Sequence, residues 1–239
     1  MFLARLLQSR RAVSETAWER LWRGYWNVQW FLQHVSQMYA QRAVLPKPHH
    51  SERAVLIEEL ARFTPIESLL EVGCGYGQNF FFLQKWFPAT TMTGIDPDRA
   101  AVEEGNRALH SAGIVNATLL HGDGSYLEPL PDKSIDVVYS SASLLFVGPQ
   151  LFAATVSQMG RVAKKAVVFL ELHDPEAGVG VLSEERMNRG PYWIRDFADA
   201  VPRLLPGMKI RLRPILNPLW ETESWYAHGC VMTAWHETK

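Results

Sequence analysis

The sequence predicts an α/β protein with a doubly wound, mostly parallel sheet of about seven strands and an antiparallel closing strand. Three observations predict this fold. From residue 65 onward, short apolar runs alternate with amphipathic segments. A glycine-rich turn joins the first apolar run to the helix that follows it. Near the end of the chain, segments 209–216 and 224–237 both have strand composition with no helix between them, which indicates an antiparallel pair at one edge.

The first 50 residues differ from the rest of the chain. Residues 1–40 have the apolar spacing of helix, and "LPKPHHS" (45–51) combines two prolines with a serine that suits a helix N-cap. We therefore expect an N-terminal helical cap and linker over 1–50 and one α/β domain over 51–239.

Within the α/β domain, each strand is predicted from a short apolar run bounded by glycine, proline or polar residues. The predicted strands are 68–72, 90–96, 117–123, 134–141, 165–173, 209–216 and 224–237. The predicted helices are 51–63, 78–87, 97–113, 149–162 and 193–205. Helices that alternate with parallel strands cover both faces of the sheet.

Composition limits the possible classes of function. The net charge of −1 gives no reason to expect nucleic-acid binding overall, although residues 1–50 carry a net charge of +5 and the remainder −6. A basic arm that packs on an acidic body explains this asymmetry, and a membrane or RNA arm is the alternative. The two cysteines, Cys74 and Cys230, lack metal-ligand spacing, so we expect no metal site and a reduced, cytoplasmic compartment.

The glycine-rich turn "LLEVGCGYGQN" (69–79) predicts a nucleotide-like ligand at the end of the first strand. Glycines allow a ligand to approach the main chain, and the following helix offers free N–H groups. A dinucleotide fingerprint needs a small residue where Gln78 stands. The turn therefore disfavours a nicotinamide-dependent dehydrogenase.

The pattern E-x-G-x-G-x-G in this turn resembles the first motif of the class I S-adenosylmethionine-dependent methyltransferases. The resemblance covers about residues 51 to 236, and the region 120–171 is similar to the broad type 11 group. It implies a Rossmann-like sheet, S-adenosylmethionine as cofactor and S-adenosylhomocysteine as product. The cofactor residues that it implies are Glu71, Gly73, Gly75, Gly77, Asp96, Asp123, Gly124 and Ser140.

The resemblance gives each acid a role at a strand end. Asp96 lies 19 residues beyond the last glycine and would bind both ribose hydroxyls. Asp123 would take the adenine amino group, with room beside the ring at Gly124, although Asp123 also has the position of a turn cap. Ser140 would face the sulfonium and the substrate, and Glu71 would lie near the methionine amino group.

Methyl transfer to a hydroxyl requires a general base, and "ELHDP" (171–175) offers His173 at a strand end. Asp174 or Glu171 would orient it. The alternative is a histidine that only satisfies nearby loop carbonyls. The residues predicted to line the acceptor site are Trp22, Trp26, His34, Tyr192, Trp193 and Arg195.

Four tryptophans recur at every fourth position in "WERLWRGYWNVQW" (18–30), which gives a wide aromatic helix face. Three interpretations remain open. The helix packs on the sheet domain, closes the acceptor site as a lid, or contacts a membrane surface or a partner protein.

Together these patterns predict S-adenosylmethionine-dependent methyl transfer to a small molecule, at a hydroxyl. The alternatives are an N-methyltransferase, an RNA methyltransferase that uses the basic arm, and a non-catalytic nucleotide-binding module. DNA is not expected as a partner, because the "NPPY" type of motif is absent at the fourth strand, where "SSAS" stands. Oligomerisation remains open.

Overall fold

A computed structural model describes residues 51–182, 192–215 and 223–237. The predicted N-terminal cap, 1–50, lies outside the described residues, and so do the predicted acceptor residues Trp22, Trp26 and His34.

Strands and helices alternate through most of the described chain. The strands are β1 (Ser68–Val72), β2 (Thr91–Asp96), β3 (Ala117–His121), β4 (Ile135–Ser141), β5 (Ala163–Leu172), β6 (Val181–Leu182), β7 (Trp193–Ile194), β8 (Lys209–Pro214) and β9 (Gly229–Trp235). The helices are α1 (Ser51–Ala61), α2 (Phe80–Trp86), α3 (Arg99–Ser111), α4 (Pro149–Val162), α5 (Phe197–Leu204) and α6 (Glu223–His228). Short 3-10 helices cover Gly124–Leu127 and Leu144–Phe146.

Seven of these strands form one sheet in the order β3-β2-β1-β4-β5-β9-β8. The first five are parallel, and β9 pairs antiparallel with both β5 and β8. The predicted mostly parallel sheet with an antiparallel closing strand is confirmed. Strand order reverses between β1 and β4, and ligands of such sheets bind at this switch point, beyond the carboxyl ends of the strands.

Alternate side chains of the strands pack on opposite faces of the sheet. Leu69 contributes to a core beneath α1, α2 and α3, whereas Leu70 contributes to a second core beneath α4 and α5. The same alternation continues in β4, where Val137 and Val138 belong to different cores. The sheet is therefore buried on both sides, as its near-continuous apolar strands predicted.

A buried carboxylate attaches α1 to the antiparallel edge. Glu59 has no exposed surface and accepts hydrogen bonds from Arg62, Arg211, Arg213 and Thr233. Burial opposes ionisation, but these hydrogen bonds and the positive charge of the arginines hold the pKa of Glu59 below its usual value.

Two segments differ from the sequence-based prediction. The stretch 224–237 was predicted as one strand, but its start forms α6, because Trp225 packs with Leu145, Leu172 and Tyr192. The helix predicted from residue 193 begins only at Phe197, because Asp196 caps it and the residues before it pair with β6. No described helix combines the length and apolarity needed to cross a membrane.

Candidate active site

The glycine turn between β1 and α2 adopts a backbone that favours glycine at three positions. Gly73, Gly75 and Gly77 have φ angles of 76°, 52° and 69°, in the left-handed region that L-residues seldom occupy. A Cβ atom built at Gly75 meets nothing within 4 Å. The turn therefore presents open main chain at Gly75, whereas Gly73 and Gly77 pack against Ser143 and Leu119.

Asp96 ties the end of β2 to this turn. One carboxylate oxygen accepts the Gly75 N–H at 2.7 Å, and the other accepts the Asp98 N–H at 2.9 Å. Burial raises the pKa of Asp96, and the two N–H groups partly offset this effect. The structure thus brings the predicted ribose-binding acid and the glycine turn together.

Two other residues near the strand ends have structural partners. Asp123 is exposed, and its Oδ1 accepts hydrogen bonds from the backbone N–H and hydroxyl of Ser125, so it caps the 3-10 helix. A Cβ on Gly124 would come within 2.3 Å of the Thr155 hydroxyl in α4. Packing against α4 thus accounts for Gly124, and the adenine-binding role of both residues stays a prediction.

Glu71 lies at the centre of a buried hydrogen-bond network. It is 1% exposed, and its two oxygens accept from Asn79 Nδ2 at 2.6 Å and from the Tyr139 hydroxyl at 2.9 Å. Burial raises the pKa of Glu71 to about 8 in spite of these bonds. Tyr139 is the register partner of Glu71 on β4, and Asn79 stands at the start of α2. The network joins β1, β4 and the glycine turn.

The end of β4 is also buried. Ser140 has no exposed surface and lies between Val72 and Phe169 in the sheet register, whereas Ser141 is half-buried. The predicted contact of Ser140 with a ligand remains a prediction.

His173 follows β5, where the sequence placed it, but it has other partners than those expected. Its Nδ1 accepts the Phe197 N–H at 3.1 Å and lies 3.7 Å from an Asp196 oxygen. The expected orientation of His173 by Glu171 is wrong, because the Glu171 carboxylate binds the backbone of residues 143–145.

Asp174 faces a second histidine. Its Oδ1 accepts the Glu176 N–H at 2.9 Å, and its Oδ2 lies 3.8 Å from His228 Nδ1. Both histidines border a cavity of about 310 Å³ at the carboxyl edge of β5, a volume at the lower end of those of ligand pockets. The cavity is lined by His173, Asp174, Pro175, Leu212, Pro214, Ala227, His228, Gly229 and Cys230.

The other predicted acceptor residues are largely buried. Tyr192 and Arg195 have no exposed surface, and Trp193 is partly exposed. Arg195 Nη1 donates to the Leu144 carbonyl at 2.9 Å, Nη2 donates to the Val147 carbonyl, and the guanidinium stacks on Phe152. In the described structure, Arg195 therefore binds the loop after β4.

Sequence analysis missed several polar residues at this edge. Tyr139 and Asn79 hold Glu71, and Asp196 and His228 accompany the residues that follow β5. A signal for Tyr139 was present, because a polar residue in an apolar strand needs a polar partner on a neighbouring strand. The distant pairings had no local signal.

Comparison with known proteins agrees with this geometry. Residues 69–166 match the model of the Methyltransferase domain family. Curated relatives include trans-aconitate 2-methyltransferases from Paracidovorax citrulli and from Escherichia coli O17:K52:H18, each 30% identical over 126 and 122 residues. Each match covers 49% of this chain and 46% of the relative, so the chain spans about half the length of these relatives.

Solved structures share the fold at lower identity. The cyclase SpnF is 21% identical, with a TM-score of 0.59 over 77% of this chain and 81% of that one. Geranyl diphosphate C-methyltransferase from Streptomyces coelicolor A3(2), solved with Mg²⁺, geranyl diphosphate and S-adenosylhomocysteine, is 16% identical, with a TM-score of 0.58 over 82% and 88% of the two chains.

The site also fits S-adenosylmethionine on its own geometry. The open main chain at Gly75 and the Asp96 carboxylate beside it form an edge at the switch point of the sheet. The motif, the sheet order and the match of residues 69–166 agree, and this part of the chain is similar to the class I S-adenosylmethionine-dependent methyltransferases.

Proposed function

We propose that this protein transfers a methyl group from S-adenosylmethionine to a hydroxyl of a small molecule. The observation that best supports this proposal is the contact of Asp96 with the glycine turn. The Asp96 carboxylate accepts the Gly75 N–H at 2.7 Å, which places an acid beside open main chain. The half-buried carboxylate of Asp96 can accept further hydrogen bonds from two ribose hydroxyls. When bound, S-adenosylmethionine supplies an electrophilic methyl carbon.

The chain itself would contribute binding, orientation and exclusion of water. Asp96 would hold the ribose, and the glycine turn would let the cofactor approach the backbone at Gly75. Glu71 would keep this turn in place through Asn79. Alignment of two reactants in such a site can supply roughly 7–11 kcal/mol of the barrier.

The acceptor end is proposed to be the cavity beside β5. Its near side, at β5, lies two strands from β1, which is about 10 Å at the usual strand spacing, and its far side, at β8, lies four strands away. Relatives and neighbours are named for trans-aconitate and geranyl diphosphate, which are both small molecules. These names support a small-molecule acceptor and leave its identity open.

Hydrogen bonding decides which histidine suits the role of base. Because His173 Nδ1 accepts the Phe197 N–H, a neutral His173 carries its proton on Nε2 and donates from that atom. We therefore assign His173 the role of a hydrogen-bond donor toward the acceptor. His228, with Asp174 3.8 Å from its Nδ1, is the better candidate for the base.

Calorimetry of the full-length protein with S-adenosylhomocysteine, S-adenosylmethionine and NAD tests the cofactor assignment first. We expect micromolar binding of the two adenosyl ligands and no NAD signal. Absence of adenosyl binding would contradict the proposal. A screen with labelled methyl donor against alcohols, amines, carboxylic acids and RNA then identifies the acceptor class. Binding without transfer to any of them would favour a non-catalytic role, or another reaction on this fold such as the one for which SpnF is named.

The assignment of the base has its own test once an acceptor is known. His228→Asn is expected to reduce turnover at saturating substrates at least 100-fold, because general-base catalysis typically contributes about 100- to 10,000-fold. His173→Asn should mainly raise KM for the acceptor. His110→Asn, at an exposed histidine on α3, is the matched control. Equal losses in the His173 and His228 variants would refute the division of roles.

A further inference from the structure

The loop after β4, residues 142–148, forms the wall next to the glycine turn. The Ser143 hydroxyl donates to the Val72 carbonyl at 2.7 Å. A Cβ atom on Gly73 would come within 2.3 Å of Ser143 Cβ, so the two backbones are in close contact. Any shift of this loop would therefore move the edge against which the cofactor binds.

Glu171, near the end of β5, holds this loop from one side. Its side chain has no exposed surface. One oxygen accepts the N–H groups of Ser143 and Leu144 at 3.1 and 3.0 Å, and the other accepts that of Leu145 at 3.3 Å. Successive N–H groups directed at one carboxylate form an anion nest. Burial raises the pKa of Glu171, and these N–H groups partly offset the rise.

Arg195 holds the same loop through its carbonyl groups. Nη1 donates to Leu144 at 2.9 Å and Nη2 donates to Val147. The guanidinium lies 4.4 Å from the Phe152 ring centroid, and its residue is fully buried. Hydrogen bonds from a charged donor are stronger than neutral ones. Leu144 is thus bound at both its N–H and its carbonyl.

Both residues are anchored to β5 or to the residues directly after it. Glu171 belongs to β5, and the Arg195 backbone forms a bridge with His173 and accepts the Asp174 N–H at 3.0 Å. The loop leaves β4 through Ala142, which has a φ of 52°. L-residues avoid this conformation, and it persists where surrounding contacts determine it. Release of the contacts would let the loop relax.

We propose that Glu171 and Arg195 are positioning residues that set the cofactor wall of the active site through the backbone of residues 143–147. This rests on the proposed function, because the loop has a catalytic role only if the glycine turn binds S-adenosylmethionine. The Glu171 carboxylate holds the N–H groups of the loop, and the Arg195 guanidinium holds its carbonyl groups. The position of β5 therefore determines where the loop contacts the glycine turn.

The test compares full-length Glu171→Gln and Arg195→Met with the wild type. We expect each variant to bind S-adenosylhomocysteine at least tenfold more weakly by calorimetry, and we expect Glu171→Gln to expose the Leu144 and Leu145 amides to faster hydrogen exchange. Arg195→Lys keeps the charge but cannot donate to both carbonyl groups in the same way. This variant should therefore fold and bind S-adenosylhomocysteine about threefold to tenfold more weakly than the wild type.

Asp136→Asn is the matched control. Asp136 is also a buried carboxylate that accepts a backbone N–H, from Glu67 at 2.7 Å. It lies near the start of β4, however, at the end of the sheet away from the glycine turn. Its variant should lose stability and keep its cofactor affinity within twofold. The proposal is overturned if the folded variants bind like the wild type, or if the Asp136 variant loses as much affinity as they do.

The hydrogen-exchange measurement needs no ligand, so it separates two failures. A wild type that binds no S-adenosylhomocysteine would contradict the proposed function. Unchanged protection of the Leu144 and Leu145 amides in Glu171→Gln would contradict the positioning role, whatever the wild type binds.

Discussion

The buried carboxyl of Glu71 should make the protein less stable as the pH rises. Its pKa is raised from 4.5 to about 8 by burial, so between these values the native protein holds a proton that the unfolded chain has released. Stability then falls with a slope of up to about 1.36 kcal/mol per pH unit. Over the whole interval the loss is at most about 5 kcal/mol, and it is complete above the folded pKa.

Glu71→Gln should remove this pH dependence. Glutamine resembles the protonated acid, because its oxygen can accept from Asn79 while its amide donates to the Tyr139 hydroxyl oxygen. We therefore expect the variant to have the same free energy of unfolding as the wild type at about pH 5. At about pH 9 its free energy of unfolding should be higher by a few kcal/mol.

Urea unfolding of both proteins by circular dichroism, at steps between about pH 5 and about pH 9, measures the difference. Glu67→Gln, at an exposed carboxyl just before the same strand, is the matched control and should follow the wild type. A difference between Glu71→Gln and wild type that stays constant over this range would refute a protonated Glu71 in the native protein.

Three further predictions concern other parts of the chain. Asp96→Ala should weaken the binding of S-adenosylmethionine by more than tenfold in calorimetry, because two ribose hydroxyls would lose their acceptor, and unchanged affinity would argue against the site. Asp136→Asn should lower the free energy of unfolding by about 1–3 kcal/mol in urea at neutral pH. Since the pKa of Asp136 is lowered by the Glu67 N–H and Lys165, against the effect of burial, the wild type should lose the same contribution as the pH falls below 3.8. If the N-terminal tryptophans close the acceptor site, removal of residues 1–45 should abolish methyl transfer yet leave some cofactor binding. Full activity of the shortened protein would leave packing or partner binding as their role.

The sequence alone determined the layered fold, and it predicted the edge of the sheet at which the cofactor is proposed to bind. Apolar runs of strand length, each followed by an amphipathic helix, have few ways to bury their surfaces other than a parallel sheet covered on both faces. The glycines of the turn and Asp96 could be predicted because their chemistry depends on local backbone and on position at a strand end. These are short-range properties.

Only the tertiary structure decided which polar side chains meet. Glu171 was expected beside His173, but it binds the loop after β4, because the neighbouring strand lies about 4.8 Å away and a residue two positions along the same strand lies about 6.6 Å away. Arg195 reaches that same loop across 48 residues of sequence. Local patterns carry no information on such contacts, which arise from strand order and burial. The sequence thus predicted the edge at which the cofactor is proposed to bind, and the tertiary packing decided which residues support that edge.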